Sequence, residues 1–210
     1  MKYDKEYWDY QSRIGKIGGI LNLFKFENHI KEEDTVLDFG CGGGYLLETI
    51  NCAKKVGFEV NDHAIERARS VGLTVTKDWD EIEDNSIDKI VSNHALEHVL
   101  EPLSSLKKLH TKLKTGGALI LVVPCEQLGQ PQFNYKVNDV NQHVYTWCPQ
   151  SLGNLVKASS FRVVSCDTLH HCWTDDFERC YMDENYHERC VAQAERTGTF
   201  QIKVVAKKDG

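Results

Sequence analysis

The segment Val36-Leu37-Asp38-Phe39-Gly40-Cys41-Gly42-Gly43-Gly44 puts an acid at the end of an apolar run, directly before a glycine-rich turn. From Tyr45 the chain reads as a helix. A strand that turns through glycines into a helix opens a βαβ unit, because parallel neighbours need a crossover connection. The remaining chain must then supply more strands and helices in alternation, and it does. Short β-type runs fall at 35–39, 55–60, 72–76, 87–92, 118–123, 161–168 and 199–206, with helix-type segments at 45–53, 63–71, 102–113 and 149–159. Seven runs with intervening helices define a doubly wound α/β sheet. The middle crossover is the clearest: Pro102 suits a first helical turn, and Leu103, Leu106, Leu109 and Leu113 are expected on one face. Residues 1–30, rich in aromatic and aliphatic side chains near helical spacing, read as one or two helices packed on something else.

The glycine turn narrows what the crevice can hold. A nicotinamide dinucleotide fingerprint needs glycine at its first, third and sixth positions, and the sixth position from Gly40 is Tyr45. Asp38 would also repel a pyrophosphate, whereas it suits a ligand bearing an ammonium group. Glu59 ends the next apolar run, 59 − 38 = 21 residues downstream. An acid at about that distance along a βαβ unit recognises ribose hydroxyls. Together these features favour a nucleoside that carries an amino acid.

Composition sets the outer bounds. A chain of 210 residues with 25 basic and 31 acidic side chains, net charge −6, is expected to form one domain and to be a poor partner for nucleic acid. No apolar stretch approaches the ~18 residues of a membrane span, and Met1-Lys2-Tyr3-Asp4-Lys5-Glu6 lacks the apolar run of a secretory signal. Eight cysteines scattered through apolar stretches read as reduced thiols. A cytoplasmic location is the expectation.

Three stretches carry a family resemblance: Asp38 to Gly44 with Glu59; Asp84-Asn85-Ser86-Ile87-Asp88-Lys89-Ile90-Val91-Ser92-Asn93-His94-Ala95-Leu96-Glu97-His98; and Leu113-Lys114-Thr115-Gly116-Gly117-Ala118-Leu119-Ile120-Leu121-Val122-Val123-Pro124. On these the chain resembles the class I S-adenosylmethionine-dependent methyltransferases over nearly its whole length. The resemblance implies a Rossmann-like, seven-stranded, mostly parallel sheet with helices on both faces and an antiparallel last strand. It implies S-adenosylmethionine as cofactor and S-adenosylhomocysteine as product. Backbone at Gly40, Cys41 and Gly42 would meet the methionine part, Asp38 its ammonium, and Glu59 the ribose. Val60 would lie against the adenine, Asp78 and Trp79 would flank its amino group and ring, and Asn93 would line the methionine side. One domain, 1–210, is expected, with residues 1–30 as a helical lid (Tyr3, Tyr7 and Trp8 over the cofactor, Arg13 at its carboxylate) and residues 170–196 as a helical insert.

Methyl transfer from a sulfonium is an in-line displacement, so positioning and exclusion of water dominate. A hydroxyl acceptor benefits further from a general base, for which histidine is suited. His94, His98 and His143 fall where strand ends should face the cofactor, with His143 the first candidate for base and His98 the second. The segments 143–152, 169–173 and 201–206 look like a branch acting on exopolysaccharide and lipopolysaccharide sugars, which makes a sugar or glycan hydroxyl the expected acceptor. A quinone- or phenol-type small molecule is the alternative acceptor, methylated on oxygen or carbon, and a non-catalytic binding module is the alternative to an enzyme. No resident metal is expected: the insert's His170, His171, Cys172, Cys180, His187 and Cys190 lack the paired Cys-x-x-Cys spacing of structural zinc.

Overall fold

A computed structural model describes residues 5–125, 135–137, 139 and 141–210. Its strands are β1 (Thr35–Phe39), β2 (Lys54–Phe58), β3 (Thr74–Thr76), β4 (Ile87–Asn93), β5 (Leu113–Cys125), β6 (Arg162–Leu169) and β7 (Phe200–Lys207). The helices are α1 (Lys5–Asn22), α2 (Tyr45–Thr49), α3 (Asp62–Ser70), α4 (Pro102–Lys112), α5 (Pro149–Ala158), α6 (Phe177–Cys180) and α7 (Tyr186–Thr197). The seven strands form one sheet in the order β3-β2-β1-β4-β5-β7-β6. β1 to β5 pair in parallel, whereas β7 runs antiparallel to both β5 and β6. This is the Rossmann-like sheet with an antiparallel last strand that the sequence implies.

Alternation along the strands sends side chains to two cores. Leu37, Phe39, Ile90, Leu119 and Leu121 pack with Leu106 and Leu109 of α4 and Leu152 and Val156 of α5 on one face. Val36, Val91, Ile120 and Val122 pack with Leu46 and Leu47 of α2 and Ile65 and Ala68 of α3 on the other. A sheet covered on both faces needs strands that are apolar on both sides, and β1 and β5 are.

Most boundaries shift by one or a few residues, and three expectations change for a local reason. α2 stops at Thr49, shorter than the segment 45–53, because Ile50 turns to an extended conformation and leads directly toward β2. β5 starts at Leu113 instead of residue 118: a bulge around Gly116, at φ +79°, shifts the pairing with β4 from Ile87↔Leu113 to Lys89↔Ala118. Pro102 does open α4, but Leu103 is 38% exposed and does not join the buried face of Leu106, Leu109 and Leu113. Among the described residues no helix is long and apolar enough to cross a membrane.

The chain order reverses between β1 and β4, which are neighbours in the sheet. Ligands of open α/β sheets lie outside the carboxyl ends of the strands at such a switch. The glycine turn leaves β1, Glu59 follows β2, and Asn93 to His98 leave β4, so the topology gathers the motifs there.

Candidate active site

Above those strand ends lies a cavity of about 1160 Å³. Its floor is Asp38, Gly40, Cys41 and Gly42; Glu59, Val60 and Trp79 lie on one side, and Asn93, His94, Glu97, His98 and His143 on the other. The structure thus brings together every residue expected at the cofactor except Asp78, and both expected catalytic histidines. Asp78 lies outside this wall: its Oδ1 accepts the N–H of Asp80 at 2.9 Å and caps a short 3-10 turn.

The glycine turn is already hydrogen-bonded from within. The amides of Gly40 and Cys41 both donate to the carbonyl of Phe58, at 2.8 and 3.2 Å, and Gly44 donates to Cys41 at 2.9 Å. Gly42 donates to Glu59 Oε2 at 2.8 Å. These amides are therefore not a free phosphate cradle, which agrees with the absence of the dinucleotide fingerprint. What the glycines supply is shape. Gly40 approaches Ala95 so closely that a Cβ would sit 2.3 Å from its side chain, and a Cβ on Gly42, at φ +52°, would project into open space.

Glu59 organises the ribose side. Its Oε1 accepts the amides of Val60 and Asn61, at 2.7 and 2.9 Å. A carboxylate offers about four acceptor positions, so Oε2 keeps room for a hydroxyl. Val60 is 51% exposed, an apolar surface suited to a base, while Trp79 stacks on Phe58 with centroids 3.9 Å apart. Asp38 is buried at the end of β1, and desolvation, then the nearby Glu59, pushes its carboxyl up to about 8. A buried acid in that state is matched by an incoming ammonium.

The acceptor side is built by two loops. The carbonyl of Glu97 accepts the amides of Val144 and Tyr145, at 2.9 and 3.1 Å, and Tyr145 Oη donates to Leu100 O at 3.0 Å. These bonds dock the segment after β5 onto the 3-10 turn after β4. His143 therefore meets His98 edge to face, ring centroids 4.8 Å apart. The Glu97 carboxylate, 1% exposed, has Oε1 3.8 Å from His98 Nε2 and 3.9 Å from His94 Nδ1. Burial, then His143 alongside, lowers the His98 imidazole to about 4.

Sequence reasoning missed one node of this wall. Lys25, 2% exposed, donates to Asn93 Oδ1 at 2.9 Å and to Gln201 Oε1 at 2.6 Å. Burial, with Lys203 nearby, brings its ammonium down to about 7. Gln201 also contacts His94 Nε2 at 3.0 Å and donates to the carbonyl of His171 at 2.6 Å. The one available signal was a lysine inside the apolar run Leu23-Phe24-Lys25-Phe26.

α1 closes the cavity above the glycine turn. Tyr7, Trp8, Gln11, Gly15 and Gly19 line it, and Trp8 stacks on Tyr45 with rings 10° from parallel. Burial and then Glu59 push the Tyr7 phenol up to about 12. Arg13 is exposed and outside the wall, and Tyr3 falls outside the described residues. The insert packs as an amphipathic unit, with Cys180, Tyr186 and Cys190 buried against Leu21 of α1 and against Trp173 and Phe177.

Fold and site together define the class of S-adenosylmethionine-dependent methyltransferases, with S-adenosylmethionine as the cofactor that the cradle of Asp38, Gly42 and Glu59 fits. Residues 10–166 match the family model of the methyltransferase domain, and the chain belongs to that family. Among solved structures it is similar to a SAM-dependent methyltransferase from Archaeoglobus fulgidus, with TM-score 0.71 and 17% identity over 98% of this chain and 100% of that one. It is also similar to phosphoethanolamine N-methyltransferase 2 of Haemonchus contortus in complex with S-adenosylmethionine, with TM-score 0.64 and 14% identity over 97% of this chain and 60% of that one. A curated relative, the ubiquinone biosynthesis O-methyltransferase of Paraburkholderia xenovorans, is 34% identical over 95 residues, 40% of this chain and 41% of that protein. The chain spans about half the length of the curated relatives it matches.

Proposed function

We propose that the protein methylates a hydroxyl of a small molecule, of quinol or phenol type, from S-adenosylmethionine. One observation carries this reading: the cofactor cradle and the pair His98 and His143 open onto the same cavity. The methionine end of the cofactor would lie over Asp38 and Asn93, which directs its sulfonium toward that pair. His98 and His143 would then activate the acceptor hydroxyl. α1, with Tyr7 and Trp8 as its lid residues, and the half-buried Trp173 would exclude water from the transfer.

The expected sugar acceptor draws no support from the relatives, whose names place them in ubiquinone biosynthesis. An aromatic hydroxyl also suits a wall with Tyr7, Trp173 and Phe200 in it. The test is a panel of quinols, phenols and monosaccharides incubated with methyl-labelled cofactor and read by mass spectrometry. Label on a quinol or phenol oxygen is the expected result. Label on sugars alone would replace the acceptor class, and cofactor binding with no transfer to any of them would favour a binding module.

A further inference from the structure

Among the described residues, one group of side chains has the composition and spacing of a cation site. One ligand atom each from Glu97, His98 and His143 lies within 4.8 Å of the others. We propose that these three residues hold a divalent transition-metal ion and that the acceptor hydroxyl binds to it. The inference rests on the reading above for its acceptor and on geometry for its site.

Two imidazoles and one carboxylate form a set used by zinc and by manganese, iron and cobalt, and they leave coordination positions open for substrate. Bonds of ~2.1 Å put neighbouring ligand atoms roughly 3–4 Å apart. The 3.8 Å between Glu97 Oε1 and His98 Nε2 already falls in that range. Closing the rest takes a rotation of the His143 ring, which sits on a loop and is half-buried. The backbone is fixed: the two amides on the Glu97 carbonyl hold that loop in register with the turn that carries Glu97 and His98.

The site's position gives the ion a task. All three ligands line the cavity that holds the cradle, as does Asn93, and the proposed placement of the cofactor would turn its sulfonium toward them. A hydroxyl bound to the ion gives up its proton to water near neutral pH, because the cation stabilises the oxyanion. The oxygen's electron pair then forms the new C–O bond as the C–S bond breaks, and the departing pair stays on sulfur as the neutral thioether. His98 and His143 act in this scheme as ligands. An acceptor with two adjacent hydroxyls would chelate the ion and bind more tightly than one with a single hydroxyl.

The test uses Co²⁺ on chelator-treated protein, followed by visible absorption and calorimetry, with cofactor binding measured in parallel as the check on folding. Wild type is expected to take up one Co²⁺ with a visible band, and His143→Ala to bind it at least about tenfold more weakly while still binding cofactor. His170→Ala, in the insert, should match wild type. No Co²⁺ uptake by wild type that binds cofactor, or equal uptake by His143→Ala, overturns the site. Transfer at full rate after chelation overturns the ion's role and leaves the methyltransferase reading standing. Should Co²⁺ bind as described while no acceptor is methylated, the site stands and the acceptor reading falls.

Discussion

Asp38 shows how one residue can couple the cofactor to the proton. Its carboxyl is raised to about 8 by burial and by Glu59, so at neutral pH the free protein holds it protonated. An ammonium placed beside it favours the ionised form, and the cofactor's arrival must then release a proton. Affinity should rise with pH up to about 8 and fall beyond it, since the cofactor's own amine loses its charge near ~8. Calorimetry at pH 7 in buffers of different ionisation enthalpy should show release of up to about one proton, and Asp38→Asn should abolish it. Proton uptake, or a pH-independent affinity in wild type, would remove Asp38 from the ammonium. Asp78 illustrates the opposite outcome at this scale. An aspartate after a strand fits a ligand contact or a helix cap equally well, and here the local amide of Asp80 takes the side chain.

At the scale of elements, α1 is held by what it lacks. A Cβ on Gly19 would lie 2.4 Å from the backbone oxygen of Tyr45, and one on Gly15 would meet the Tyr45 ring at 2.2 Å. Glycine in a helix costs ~1 kcal/mol relative to alanine, so Gly19→Ala should strengthen an isolated α1. In the protein it must instead push the helix off the glycine turn, at about 1–3 kcal/mol for overpacking against backbone. Cofactor affinity should fall and hydrogen exchange in α1 should quicken, while the exposed control Lys16→Ala changes neither. A Gly19→Ala protein that is more stable and binds cofactor normally would show that α1 does not hold this place. The glycine spacing was open to view in the sequence, but its partner was not. The same division runs through the molecule. β1 and the cofactor cradle were legible because strand, acid, glycines and Glu59 lie within a short stretch and obey one spacing rule. The acceptor wall was not, because Glu97 and His143 meet through two backbone hydrogen bonds between loops, and Lys25 meets Gln201 across the chain. Periodicity carries no information about such pairs.

For the whole molecule, a cofactor that spans two strand ends and a helix should stabilise all of them together. At a hundred times its dissociation constant it adds ~2.7 kcal/mol to unfolding, which for a chain of this size raises Tm by roughly 5–10 °C. Thermal unfolding with and without S-adenosylmethionine measures this directly, and an unchanged Tm would remove the cofactor assignment. Gln201 sits in β7, paired in register with Pro124 of β5 and Leu169 of β6, and it joins Lys25, His94 and the carbonyl of His171. A ribosome delivers these partners in order. The cradle of Asp38, Gly42 and Glu59 is already in hand when β4 emerges, yet the amide that ties the N-terminal segment to the acceptor wall arrives 176 residues after Lys25. During synthesis the molecule therefore has the parts to hold its methyl donor well before it has a finished wall against which to hold anything that could receive the methyl group.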